Sequence, residues 1–517
     1  MIVQYNSPPQ TCTGSGLLGG LVCTVVNVVG GVVTGVFSLI NAVSATLSAG
    51  DVISLSNQSN VTYISLDRPL QASLDYTAAS VSAPYAWSSG WDGTGVGIAV
   101  IDSGVYLHPD LKAANSSQSR VVYRQSFVGG VQYDDYGHGT HVAGIVAGNG
   151  SSSSKPGAFR TFRGIAPNAN ILDLRVLDQN GSSNDSAVLA AIQQAVQLKS
   201  RYNVRVINLS LGRPIYETCN RDPLCRAVDS AWKSGIVVVI AAGNLGRNGY
   251  ATVLSPANSP RAITVGAMKT MGSYPPSDDL IASYSSKGPT YIDLTVKPDV
   301  VAPGNVMVSL LAPTSTLQGM YPANVVAASE YTNSTYPGSG AYFRLSGTSM
   351  ATPVVSGAAA LMIQKEPWLT PDTLKARLMK TASKSFPSNS TATDPTTGQV
   401  YSSQYDMFTI GAGYIDILAA LSNSDTANRS ASSPSVTYNA SQNQAYLVGD
   451  SATLWGISAA WGDSAVWGTS VLLNGTSAVW GTSAVWGSSA AWGTSACWGD
   501  SAAWGDSAAW GDSHRGE

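Results

Sequence analysis

Ser349 stands in Gly347-Thr348-Ser349-Met350-Ala351-Thr352-Pro353, just after Gly-Thr and just before an Ala-rich, helix-forming run. That placement presents a hydroxyl at a helix N-terminus, where the first N–H groups lack intrahelical partners and can receive a developing oxyanion. An ordinary capped helix would give the same string, so the chemistry depends on what could activate the hydroxyl. A general base needs a pKa near the working pH, and imidazole supplies it. The chain has four histidines, His108, His138, His141 and His514. His138 lies between glycines at the start of a predicted helix, in Gly137-His138-Gly139-Thr140-His141-Val142. His141, three residues further on, reads as a packed neighbour. Asp102 ends an apolar run over 96–101 and precedes Ser103-Gly104. It is either a turn or cap residue or a carboxylate aimed at a neighbour. Asn244 closes the run over 236–243. It caps a turn or points its amide N–H at a reacting carbonyl oxygen, a contact whose loss costs about 2.7–4 kcal/mol.

Groups this far apart in sequence meet only if a fold gathers the ends of its elements. Residues 95–101, 171–177, 205–211, 235–242 and 262–267 read as continuous apolar strands, with helical patterns over 186–198 and 227–233. Such strands alternating with helices predict an α/β domain, a parallel sheet with helices on both faces. The site of such a sheet lies beyond the carboxyl ends of its strands, where Asp102 and Asn244 both fall.

Together these motifs resemble the subtilisin-like serine proteases (subtilases), over nearly all of 75–425. The chain order Asp102, His138, Ser349 separates that family from the chymotrypsin and α/β-hydrolase orders. The His at 138 separates it from the acid-acting sedolisins, which use Glu instead. The resemblance implies a serine endopeptidase working through an acyl-enzyme. Ser349 would be the nucleophile, His138 the base and then the acid, and Asp102 its orienting partner, with the Ser349 N–H and the Asn244 amide holding the oxyanion. It places pocket walls at Ser210-Leu211-Gly212 and Ala241-Ala242-Gly243, and an opposite edge strand at Gly181-Ser182-Ser183. A protein or peptide substrate would add between the two edges as an extra strand. Leu254 stands where relatives often have Gly at the pocket floor, so a shallower pocket for medium apolar side chains is expected. The chemistry requires no cofactor. His108-Pro109-Asp110-Leu111 matches a segment whose Asp often ligates calcium, which makes Asp110 a candidate for a structural calcium ion. The Ser-rich stretch 151–159 departs from the family's partner loop. Residues 311–341 form a long insertion, expected to rim the cleft.

Charged residues make up 11% of the 517, and the net charge is -3. No basic stripe exists, which argues against nucleic-acid binding. The length predicts two or three units. Residues 1–70 read as a small α+β unit with strands at 2–5, 40–47 and 61–65 and a helix at 51–56. The stretch 41–65 resembles the end of a subtilisin-type inhibitory propeptide. A self-processing zymogen is therefore expected, inhibited by its own propeptide and cut near Leu70 to Ser73. The Gly/Val-rich run 17–47 is alternatively long enough to span a membrane, though it lacks Lys and Arg flanks. No basic region typical of a signal peptide precedes it. A secreted or cell-surface location is expected, and Cys219 and Cys225 could close a small disulfide there. After a linker near 430, Trp-Gly recurs from Trp455 to Trp510 with period six, broken once around Val471 to Asn474, which reads as a low-complexity tail. Its partner is not named by the sequence. The rival reading is a surface interaction protein acting mainly through this tail.

Overall fold

The computed structural model describes residues 2–6, 32–37, 41–65 and, with short gaps, 76–448. The Trp-Gly repeats, the linkage around 66–75 and most of the Gly/Val-rich run lie outside the described residues, as do Cys12, Cys23 and Cys497. The chain divides into two compact units, Met1–Ala72 and Ser73–Glu517.

The first unit is a four-stranded sheet with one helix. Its strands are β1 (Ile2–Tyr5), β2 (Val32–Phe37), β3 (Ala42–Thr46) and β4 (Val61–Ser65), in the order β2-β3-β1-β4. β1 is flanked by two antiparallel partners, β3 and β4. Alternation puts Val3 and Tyr5 of β1 and Val43 and Ala45 of β3 into one core, where Leu55 of helix α1 (Ala49–Ser56) joins them. A capping box starts that helix: Ser48 Oγ accepts from the Asp51 N–H, and the Ser48 N–H donates to Asp51 Oδ2. Strand β2 was not expected, because its Gly-interrupted apolar run has no clear period.

The second unit contains the expected parallel sheet. Its strands are β5 (Gly97–Asp102), β6 (Val121–Ser126), β7 (Asn170–Arg175), β8 (Val204–Leu209), β9 (Val237–Ala241), β10 (Ile263–Lys269), β11 (Leu280–Ile281) and β12 (Val300–Pro303). The order is β11-β10-β9-β8-β5-β7-β6, with β12 also beside β10. Every pairing is parallel except β10 with β11. Helices α2 (His138–Ala147), α3 (Asp185–Gln197) and α4 (Pro223–Lys233) alternate with the strands. The hairpin β13 (Met307–Leu310) with β14 (Tyr342–Leu345) encloses the insertion, which carries a short helix, α5 (Thr316–Met320).

Helix α6 (Thr348–Lys365) is buried from Thr348 through Ile363. Small residues at Ala351, Gly357 and 358–360 allow this burial on all sides. A Cβ at Gly357 would sit 2.5 Å from Ile165 Cβ. The sheet and α6 thus carry the core, and the N-terminus of α6 is bonded to Ser210, just beyond the end of β8, the parallel neighbour of β5. Among the described residues no helix is long and apolar enough to cross a membrane.

Candidate active site

Asp102 is the last residue of β5, and His138 is the first of α2. His138 Nδ1 lies 2.7 Å from Asp102 Oδ1, and both side chains are almost wholly buried. Such closeness requires the helix start to press on the strand end. Gly139 permits it, since a Cβ there would lie 2.2 Å from the Gly104 carbonyl oxygen. A second buried carboxylate clamps the same junction. Asp134 accepts from Ser103 Oγ, the Gly137 N–H and the Thr140 N–H, each at 2.7 Å. Ser103 Oγ in turn accepts from the Gly139 N–H at 2.8 Å. The free N–H groups of the His-bearing helix are thereby satisfied by groups anchored beside Asp102. Burial alone would depress the His138 pKa, but the Asp102 charge and hydrogen bond, aided by the Asp134 charge, outweigh it and raise the value above the usual 6.5. His141 is different. Its Nε2 faces the Met307 and Phe343 carbonyls, which fixes the proton there, and burial with the nearby His138 pushes its pKa down to about 3. It is a neutral packed group.

Ser349 is the second residue of α6 and is buried. Pro353, four residues on, has no N–H to give the Ser349 carbonyl. Ser210 Oγ donates to that carbonyl instead, at 2.9 Å. The relay continues from Asn208 Nδ2 to Ser210 Oγ and from Ser356 Oγ to Asn208 Oδ1. The segment after β8 is thus fastened to the helix that carries the hydroxyl. Ser349 Oγ itself donates to the Ser210 carbonyl over a long 3.3 Å. Asn244 Oδ1 accepts from both the N–H and the hydroxyl of Thr348, at 2.9 and 3.0 Å. Because those donors need an oxygen, the Asn244 amide nitrogen faces the other way. A Cβ on Gly347 would meet it at 3.2 Å, so that N–H₂ stands over the start of α6.

Strand β8 was expected to run to 211 but stops at Leu209. Ser210, Leu211 and Gly212 continue outside the ladder. The facing stretch is a turn rather than a strand: Asp178 Oδ1 accepts from the Asn180 and Ser182 N–H groups, and the Gly181 N–H donates to the Asp178 carbonyl. Gly181 has a left-handed φ of +74°, and a Cβ there would strike the Tyr136 ring at 2.7 Å. Among the described residues, neither main-chain group of Gly212 has a partner, nor does the Ser183 N–H. Ala241 and Ala242 are buried, and Leu254 packs where a Cβ on Gly243 would fall, 2.9 Å from its Cγ. The insertion touches the 178–181 side of this trough. The Thr316 and Leu317 N–H groups donate to the Asp135 and Tyr136 carbonyls, and Thr316 Oγ1 donates to the Gln179 carbonyl.

With this geometry in place, comparison with known proteins is decisive. Residues 93–413 match the subtilase family of peptidases. The chain belongs to the subtilase family. It is similar to serine protease AprX of Bacillus subtilis, 37% identical over 354 residues that cover 66% of this chain and 74% of that protein. Subtilisin E of the same species is 36% identical over 68% of this chain and 78% of its own. The alkaline protease of Alkalihalobacillus alcalophilus is 33% identical over 67% and 75%. This subtilase is accordingly a hydrolase of the serine peptidase class.

Two expectations meet contrary geometry. Asp110 is wholly buried with its oxygens already engaged: Oδ1 accepts from Ser151 Oγ and the Ser152 N–H, and Oδ2 from the Tyr342 hydroxyl. His108 Nδ1 accepts from the Asp110 N–H, which leaves its Nε2–H for the Ala341 carbonyl. No cluster of three metal-ligating side chains exists among the described residues. The Asp110 surroundings therefore do not fit a resident calcium ion, because the Ser-rich departure at 151–153 supplies donors where a cation needs acceptors. Cys219 and Cys225 are not joined by a disulfide, although their side chains are hydrogen-bond neighbours, and Cys225 Sγ also donates to Asn258 Oδ1 at 3.2 Å. Asp134, Thr348 and Tyr342 were not singled out from sequence; only Asp134, four residues before His138, left a local signal.

Proposed function

We propose that this chain is a self-processing serine endopeptidase in which Asp102, His138 and Ser349 form the catalytic triad. The observation that supports it best is the buried 2.7 Å contact between His138 Nδ1 and Asp102 Oδ1. It fixes the imidazole with its basic Nε2 directed away from the carboxylate. In the reaction the Ser349 hydroxyl turns from the Ser210 carbonyl to His138 Nε2, gives up its proton and attacks the scissile carbonyl. The imidazolium, stabilised by Asp102, then protonates the leaving amine, and water repeats the sequence on the acyl-enzyme. The developing oxyanion is met by the Ser349 N–H at the start of α6 and by the Asn244 amide that Thr348 orients. The peptide adds as a strand to the unpaired groups at Gly212 and Ser183, and Leu254 limits its first pocket to medium apolar side chains.

The unit Met1–Ala72 acts in this reading as an inhibitory propeptide, removed by a cut near Leu70 to Ser73 in an exported zymogen. The test is expression of wild type beside Ser349→Ala. Wild type is expected to shorten by about 7 kDa, from the roughly 110 Da of an average residue, and to label with a fluorophosphonate. The variant is expected to stay full length and unlabelled. Active wild type that remains intact would refute self-processing, and labelling without Ser349 would refute the triad.

A further inference from the structure

Resting on the reading that substrate pairs along 210–212, we propose that Arg213 and Asp185 form a latch across the far end of the substrate trough and set which side chain is accepted four residues before the scissile bond. Arg213 directly follows Gly212, and Asp185 lies two residues beyond Ser183. The guanidinium spans the gap between the two segments. Its Nε lies 3.0 Å from each carboxylate oxygen of Asp185, and Nη2 lies 2.9 Å from Oδ2. This fork-like pairing fixes direction as well as distance.

The latch is held from behind. Arg213 Nη2 also donates to the fully buried Asp222, 3.1 Å away, and Nη1 to the Pro214 carbonyl at 3.0 Å. Asp222 Oδ2 accepts from Ser255 Oγ at 2.6 Å, while Arg213 and Ser255 exchange main-chain bonds of 2.8 Å in both directions. The exposed Tyr216 ring lies 5.5 Å from the guanidinium carbon. One residue thus joins the wall, the facing segment and, through its main chain, the floor next to Leu254.

Its position on the substrate follows from register. Ser349 Oγ lies against the Ser210 carbonyl, so the residue that supplies the scissile carbonyl sits at Ser210. A paired strand advances about one residue, roughly 3.3 Å, for each residue of its partner. The fourth residue back therefore arrives at Arg213. There it meets a fixed ion pair, with Glu217 3.8 Å from the same guanidinium. A large apolar side chain at that position would have to strip water from this pair without replacing its hydrogen bonds, which is unfavourable.

The test uses the mature enzyme with peptides X-Ala-Ala-Leu on a chromogenic leaving group, X being Ala, Ser, Phe or Trp, and the tripeptide Ala-Ala-Leu as each variant's own reference. Wild type is expected to cleave the Phe and Trp peptides no faster than the Ala peptide. Asp185→Ala and Arg213→Gly are expected to raise the Phe-to-Ala ratio of kcat/KM about tenfold or more. A wild-type preference of tenfold or more for Phe would overturn the latch. So would a ratio unmoved in Asp185→Ala that still cleaves the tripeptide. Should that variant fail to fold, the wild-type ratio alone decides. Absence of Ser349-dependent tripeptide cleavage in wild type would instead count against the peptidase reading beneath it.

Discussion

Asp102 and Asp110 lie eight positions apart, both buried, both in segments that resemble family motifs, and they are used in opposite ways. Asp102 gives one oxygen to His138 and the Ser103 N–H, while its other oxygen has no hydrogen-bond partner. Asp110 has both oxygens filled by neutral donors, two from the 151–152 turn and one from Tyr342. A buried carboxylate hydrogen-bonded to an imidazole acts on that imidazole's proton, whereas one whose hydrogen bonds come from hydroxyl and amide donors fastens segments together, even with His108 Nδ1 3.8 Å away. The difference teaches that the residue type and burial of an aspartate do not reveal its task; the chemistry of its partners does.

The strongest way to break the contrast is to neutralise the working carboxylate. Asp102→Asn keeps the shape but offers His138 Nδ1 an amide, which favours the wrong tautomer. It is expected to lower kcat about 10⁴-fold with little change in urea unfolding. A loss below tenfold would remove Asp102 from the chemistry.

The next largest effect concerns pH. His138 must be neutral to accept the Ser349 proton, and its pKa is raised, so protonation persists to higher pH than for a free imidazole. The acid limb of kcat/KM is expected above pH 6.5, about the unperturbed value. Asp134→Asn removes one of the negative charges holding that proton and is expected to move the limb to lower pH. A limb that stays in place would limit Asp134 to fastening α2.

What could be read from sequence follows the same division between local and distant partners. Five strands of the sheet and helices α3 and α4 were legible because apolar runs and helical periods are contiguous. The motifs at Asp102, His138, Asn244 and Ser349 were legible because each sits at an element's end. The end of β8 was overrun by two residues, since Leu211 continues the apolar pattern beyond Ser210 while the main chain leaves the ladder. Thr348 on Asn244, Ser210 on the carbonyl freed by Pro353, and Tyr342 on Asp110 each join residues more than 100 positions apart. Their meaning is a matched donor and acceptor, which exists only in space. The motif at Asp110 carries the carboxylate on which the calcium expectation rests, but the donors that seal it come from a turn and a strand elsewhere.

The smallest expected effect tests that seal. Tyr342→Phe deletes the hydroxyl 2.7 Å from Asp110 Oδ2 and 2.8 Å from Ser153 Oγ and leaves the packed ring, which contacts Phe162 at 4.7 Å between centroids. A buried acceptor left short of its donor costs about 1–3 kcal/mol, to be read by urea unfolding in a Ser349→Ala background that prevents self-digestion. In the Ser349-containing enzyme, kcat/KM is expected to change less than twofold, because Asp110 touches none of Asp102, His138 or Ser349. Millimolar calcium is expected to restore nothing, since Ser151 and Ser152 still donate into the space a cation would need. If calcium recovered the lost stability, Asp110 would be a metal ligand after all, and the contrast with Asp102 would be between two charged partners rather than between a proton and a seal.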